Sequence, residues 1–337
     1  MKRNIRDGKF VHKLVQTNSF GQRDSENPIV KAPNTVRVLA IGDSITFGHG
    51  VSAEDTYSER LERRLNNQTK PYHFDVINTG VPGNCHFQEY VDFRRGLIFK
   101  PDIAIIQFTI NDVAEPYRAF ARYGGNAVDY HRISDTCWLD NFLKDRSAFY
   151  LFLNKVAERI RYRSLAIVDV RRKAMDEQAD LDWNAAADAP QDEASSHYKA
   201  WQECFKWLEK EAALCHENKI DCILFVSPHG YQLGDDSRLY AQKVLKEFAT
   251  KNDMEFLDVL PLLRIKAKRS LMSKYRLSRQ ASFVDMAKVY PEDVDRNWKR
   301  FFLDFDHYNP EGHELVSKAL YSLVSDLVRK RMENRIK

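Results

Sequence analysis

A serine at the end of an apolar run, and a histidine preceded by two aspartates, are the residues of this chain best suited to acyl transfer. Gly42-Asp43-Ser44 follows Val36-Arg37-Val38-Leu39-Ala40-Ile41 directly, and Asp304-Phe305-Asp306-His307 lies near the other end. A serine hydroxyl is inert until an adjacent base removes its proton, and an imidazole titrating near neutrality is the natural base. Ser44 is therefore the candidate nucleophile and His307 the candidate base. Asp304, three residues earlier, is spaced to reach the imidazole on a short turn, fix its tautomer and stabilise the imidazolium. Asp306 competes by proximity, but adjacent side chains usually diverge, so Asp304 is the expected partner.

Each residue also has a plainer reading. Ser44 alone reads as a turn or helix-capping serine. Asp304, Asp306 and His307 also read as metal ligands, but no second cluster of His or carboxylates with ligand spacing is visible, so neither a metal nor a cofactor is expected.

Acyl transfer further needs donors for the oxyanion. One candidate is Gly83 in Asn78-Thr79-Gly80-Val81-Pro82-Gly83-Asn84, where a missing Cβ lets a backbone N–H approach a ligand. Another is the side-chain amide of Asn111 in Thr109-Ile110-Asn111-Asp112. A tight turn and an Asx turn or cap are the structural alternatives for Gly83 and Asn111.

Strand ends must carry these groups. Short runs at Val36–Ile41, Phe74–Ile77, Ile103–Phe108, Cys222–Val226 and Glu255–Leu257 read as parallel strands. Helical spacing appears at Thr56–Leu65, Phe87–Phe99, Ser237–Asn252 and Glu311–Arg331. This alternation predicts a doubly wound α/β sheet, with the site at the carboxyl ends of its strands. Residues 1–35, with Gly8, Gly21, Pro28 and Pro33, read as an irregular arm over a domain spanning 36–337. The stretch at about 114–219 is too long for a simple crossover. It reads as a helical insertion, helical at Ala148–Arg161 and Ser195–Glu217, that walls the site with aromatics such as Tyr117, Phe120, Tyr123, Tyr130 and Trp138. Leu262–Arg300 reads as a second irregular stretch. His313, at a helix start, reads as structural.

Composition narrows the function. With 337 residues and 43% hydrophobic content the chain can bury a large core. A net charge of +4, from 52 basic and 48 acidic residues, gives no electrostatic case for nucleic acid. No run approaches the ~20 apolar residues of a membrane span, and the basic start has no apolar segment after it. A cytoplasmic location is expected from the chain as written, or a periplasmic or membrane-associated one if an anchor is missing from it. The five cysteines, odd in number and without a C-x-x-C pair, argue against a disulfide framework and against a zinc site.

The four blocks together resemble the GDSL, or SGNH, family of serine hydrolases. Gly42-Asp43-Ser44 matches its first block, Asn78 to Gly83 its second, and Asp304 to His307 its D-x-x-H block, followed by Asn309-Pro310-Glu311-Gly312-His313. In the third block, usually G-x-N-D, Thr109 replaces the glycine while Asn111 and Asp112 are kept. The resemblance implies a three-layer α/β/α sandwich around a five-stranded, flavodoxin-like parallel sheet of order 2-1-3-4-5. It also implies an acyl-enzyme on Ser44, with the Ser44 N–H, Gly83 N–H and Asn111 amide as oxyanion hole. The expected function is hydrolysis of a short-chain or carbohydrate-linked ester. The alternatives are O-acyl transfer to a saccharide hydroxyl and a non-catalytic binding module on the same fold. The expected partner is a small-molecule or saccharide ester.

Overall fold

The computed structural model describes residues 2–6, 9–13, 15–113, 188–190, 192–275, 282–289 and 298–336. The expected helix at Ala148–Arg161 and the insertion's aromatics lie outside them. The first elements are a pair of antiparallel strands, β1 (Lys2–Arg6) and β2 (Lys9–Lys13), in the segment expected to be irregular. Arg6 is the register partner of Lys9, a pairing that the polar composition of the segment hid.

Five strands form the main sheet: β3 (Thr35–Ile41), β4 (His73–Asn78), β5 (Ile103–Thr109), β6 (Asp221–Ser227) and β7 (Glu255–Asp258). All pair in parallel, in the order β4-β3-β5-β6-β7, which is 2-1-3-4-5 when the five are counted along the chain. A parallel sheet is covered on both faces, so its strands read as unbroken apolar runs. That is why their positions follow from composition alone.

The two faces have separate cores. Val36, Val38, Ala40, Ile103, Ile105, Ile223 and Phe225 pack against α2 (Tyr57–Gln68), α6 (Leu260–Tyr275), α7 (Phe283–Val289) and α8 (Pro310–Ile336). The alternate residues Leu39, Ile41, Ala104, Ile106, Phe108, Leu224 and Val226 pack against α3 (His86–Gly96), α4 (Ser196–Asn218) and α5 (Tyr240–Lys251). The result is a three-layer α/β/α sandwich. A short helix, α1 (Ser44–Phe47), follows β3.

Two expectations change here. Leu262–Arg300 is not irregular over its described part: Leu260, Leu263, Ala267 and Leu271 of α6 and Phe283 and Met286 of α7 are buried in the first core. Their apolar spacing is diluted by the interleaved basic residues Arg264, Lys266, Lys268 and Arg269. The segment from Ser195 onward also forms part of the sandwich itself. Ala200, Trp201, Cys204, Leu208 and Ala212 of α4 are buried on the sheet, as in an ordinary crossover helix between β5 and β6.

The N-terminal segment fastens the turn after β3. The Arg23 guanidinium donates to the carbonyls of Phe47 (2.8 Å), Gly48 (2.5 Å) and Val51 (2.7 Å). Asp24 Oδ2 accepts the Asn78 N–H at 3.0 Å, at the end of β4. Arg37, fully buried on β3, donates to Asp75 and to the carbonyls of Pro28, Ile29 and Phe99. Charge-assisted bonds of this kind contribute more than neutral ones, and removing the donor strands buried carbonyls. Arg23→Ala should therefore lower the unfolding free energy by roughly 2–4 kcal/mol, measured by urea denaturation. A change within about 0.5 kcal/mol would mean that solvent satisfies these carbonyls equally well.

Candidate active site

Three strand ends meet at the crevice where the strand order reverses, between β3 and β5, the usual ligand edge of an open α/β sheet. Ser44 leaves β3, the Gly80–Gly83 loop leaves β4, and Asn111 follows β5. The loops interlock: the Thr79 N–H donates to the Ala40 carbonyl (2.9 Å) and the Val81 N–H to the Gly42 carbonyl (3.1 Å). Gly80 lies so close to α1 that a Cβ there would come within 2.3 Å of the Phe47 nitrogen.

Ser44 does not cap α1. Asp43 does, its carboxylate accepting the Ile45 N–H at 2.8 Å, which leaves the serine hydroxyl for another partner. The Asp43 N–H donates to Gln107 Oε1 (3.2 Å), which also accepts the Thr46 hydroxyl (3.1 Å). The Asn111 amide donates to Asp43 Oδ2 at 3.5 Å. The carboxyl group of Asp43 is raised from its usual range by burial, opposed by its bond from Ile45 and the charge of His307. Thr109 fits this network despite replacing the usual glycine: its hydroxyl accepts from Gln107 Nε2, and its N–H donates to Asp112 Oδ2 at 2.6 Å.

Asp304 to His307 sit on a loop closed by an antiparallel bridge between Phe302 and Tyr308, both buried. The Leu303 N–H donates to the His307 carbonyl (2.7 Å), and Asn309 Oδ1 caps α8 through the N–H groups of Glu311 and Gly312. This loop carries His307 Nε2 to 2.9 Å from Ser44 Oγ. On the other side of the ring, Nδ1 bonds Asp304 Oδ1 and Oδ2 at 3.0 and 2.9 Å, and Asp304 Oδ1 also accepts the His307 N–H at 2.9 Å.

Asp306 does not diverge from the ring as expected. Its Oδ1 lies 2.8 Å from the same Nδ1, without hydrogen-bond geometry, and its side chain is 8% exposed against 47% for Asp304. The tight loop turns both carboxylates to one side, whereas the expectation of divergence assumed extended backbone. Burial disfavours a charged His307, but the bonds from Asp304 and the close negative charges of Asp304 and Asp306 outweigh it and raise its pKa to about 10. Burial likewise pushes both carboxyls up. For Asp306 burial wins, while for Asp304 the His307 bonds and charge win and hold it below the usual range.

Gly83 adopts φ +82°, in the left-handed region that favours glycine, and no atom lies within 4 Å of where its Cβ would be. It is exposed on the loop that Val81 ties to Gly42. His313, read as structural, is buried, and its Nδ1 accepts the Tyr57 N–H at 3.1 Å.

Two further histidines at the site were not anticipated. The ring of His49 lies 4.6 Å, centroid to centroid, from that of His307. His229, beyond the end of β6, is fully buried and packs edge-on against Phe305 at 5.6 Å. Burial, and secondarily the positive His307, lower its pKa to about 3, so it is neutral. Its place just past a strand's carboxyl end was a usable signal. Donor atoms of Asp304, Asp306 and His307 lie within 4.8 Å of one another, as do those of a second group, His86, Glu89 and Glu211. The second group was invisible in the sequence, because Glu211 is far along the chain from the other two.

Among the described residues no helix is long and apolar enough to cross a membrane. No curated protein matches the sequence. Among solved structures, the acetyl xylan esterase AlAXEase is similar at a TM-score of 0.45 and 14% identity, covering 86% of this chain and 100% of that one. The lipase/acylhydrolase from Enterococcus faecalis is similar at 0.42 and 15%, covering 86% and 96%. The model of the GDSL-like lipase/acylhydrolase family matches residues 40–273, which hold Ser44, Gly83 and Asn111, while the fold supplies Asp304 and His307 from beyond them. Matched over more than half its length, the chain belongs to this family of carboxylic ester hydrolases.

Proposed function

We propose that the protein is a serine-dependent hydrolase of short-chain or carbohydrate-linked esters, acting through an acyl-enzyme on Ser44. The observation that carries this is the 2.9 Å approach of His307 Nε2 to Ser44 Oγ, with Nδ1 of the same ring bonded to Asp304. A hydroxyl paired with an imidazole whose far nitrogen is held by a carboxylate is the arrangement that activates serine.

In this reading neutral His307 takes the Ser44 proton as Oγ attacks the ester carbonyl. Asp304 keeps the ring oriented and stabilises the imidazolium. The oxyanion is met by the backbone N–H groups of Ser44 and Gly83 and by the Asn111 amide, which Asp43 positions. His307 then gives its proton to the departing alcohol; in the second half a water deprotonated by the same ring attacks the acyl carbonyl, the bond to Ser44 Oγ breaks, and His307 returns the proton to Oγ as the acid leaves.

The first test is hydrolysis of p-nitrophenyl esters from acetate to octanoate. Ser44→Ala and His307→Ala should each lower kcat by about 10³-fold or more, with acetate preferred over octanoate. Retention of wild-type rates by Ser44→Ala would remove the nucleophile and the proposal with it. Asn111→Ala should lower kcat by roughly 10²–10³-fold with little change in KM, the signature of a donor used in the transition state.

The pH profile separates the two aspartates. Only neutral His307 is a base, so with its pKa raised above the ordinary 6.5, kcat/KM should still be climbing at mildly alkaline pH. Removing either carboxylate lowers the His307 pKa and moves that limb to lower pH. Asp304→Asn should in addition cut kcat by about 10³–10⁴-fold through loss of ring orientation, and Asp306→Asn by about tenfold or less. The opposite ranking would make Asp306 the orienting residue.

A further inference from the structure

Behind the Asn111 turn, away from the crevice, four ionisable side chains share one dry space. His86 and Glu89 lie one turn apart at the start of α3, Glu211 faces them from α4, and Asp112 comes from the turn after β5; all four are fully buried. His86 Nδ1 is 3.1 Å from Glu89 Oε2 and 3.1 Å from Glu211 Oε2. On its other side, Nε2 is 3.8 Å from Asp112 Oδ2. Phe108 stacks on the imidazole at 5.5 Å.

Direct pairing does not satisfy this group. One Nδ1–H cannot point at two carboxylates at once. Among the described residues, both oxygens of Glu89, Oε1 of Glu211, Oδ1 of Asp112 and Nε2 of His86 are buried without a hydrogen bond. Among the described residues no Lys or Arg forms an ion pair with any of the three carboxylates. Were all three carboxyls ionised, even a protonated His86 would leave two negative charges uncompensated, and burial accordingly raises the pKa of each carboxyl.

We propose that His86, Glu89 and Glu211 bind one divalent transition-metal ion of the zinc class. Ligand atoms held about 2.0–2.2 Å from one ion lie roughly 3.0–3.5 Å from each other, the spacing that Nδ1 has from each Oε2, and all three donors lie within 4.8 Å of one another. The spare carboxylate oxygens complete the coordination. An imidazole among the donors favours zinc-like ions over calcium or magnesium. Asp112 Oδ2 lies on the far side of the ring, 3.8 Å from Nε2, a carboxylate placed to favour the tautomer that leaves Nδ1 free for the ion. With every ligand buried, no substrate reaches the ion. Its role is to staple α3 and α4 to the turn that carries Asn111, and it is independent of the esterase reading.

Metal content measured by plasma mass spectrometry on the full chain, purified without chelators, tests this first. The protein is then stripped with EDTA, desalted and titrated with Zn²⁺ against a chromophoric chelator. One equivalent bound per chain is expected, with a melting temperature raised by about 5 °C at a hundredfold excess over Kd. Glu211→Gln and Glu89→Gln should each weaken binding at least tenfold to a hundredfold, while Asp306→Asn, in the other cluster, should leave it unchanged. No metal in the purified protein and no stabilisation by Zn²⁺ would overturn the proposal, leaving the four groups sharing protons. Uptake that survives Glu211→Gln but is lost in Asp306→Asn would overturn it too, by placing the ion beside His307. If the glutamate variants do not fold, the metal content and zinc-dependent melting of the wild-type chain still decide.

Discussion

The site depends on a capping bond made by a neighbour of the serine. Because Asp43 accepts the Ile45 N–H, the Ser44 hydroxyl has no duty at the start of α1 and lies 2.9 Å from His307 instead. The same carboxylate takes the Asn111 amide, and the Asp43 N–H is held by Gln107 from β5. One buried aspartate thus fixes the relative positions of two strand ends, and a shift in it would move the hydroxyl and the amide together. Arg23 closes the arrangement from outside by binding the carbonyls at the far end of α1.

His307 is subject to opposed effects. Burial favours a neutral ring, which a base requires, while two carboxylates facing Nδ1 favour the charged ring. The carboxylates win, so in the proposed mechanism the loop would stabilise the imidazolium formed by proton transfer and shift base activity toward higher pH. Exposure divides the pair: Asp304 bonds the ring from a half-exposed position, while Asp306 faces it from a buried one. A single-carboxylate site would lack this adjustment.

Polar groups are placed with the same economy elsewhere on the sheet. Among the described residues the strands are apolar except where a polar side chain ties segments together. Arg37 joins β3 to the N-terminal segment and to the carbonyl of Phe99, and Gln107 joins β5 to the Ser44 turn. The proposed cation among His86, Glu89 and Glu211 extends that logic to the helical layer, where it would join α3 to α4.

Strand positions, their α/β alternation and the candidate residues Ser44, Gly83, Asn111, Asp304 and His307 were all readable along the chain. Each rests on a local signal: unbroken apolar runs for strands covered on both faces, or a reactive residue just past such a run. Helices α6 and α7 escaped because basic residues interrupt their apolar spacing, and the β1–β2 pairing escaped because it sits in polar sequence. Whether Asp304 alone or both aspartates face the ring was set by the closure of one loop, between Phe302 and Tyr308. The approach of His49 to His307, of His229 to Phe305 and of Arg23 to the Ser44 turn, and the meeting of His86 with Glu211, join segments distant along the chain. The sequence by itself determined which groups could do chemistry, because residue type and local periodicity are properties of neighbours. Only the tertiary structure decided which of them share a buried space, because that depends on how packed layers return remote segments to one another.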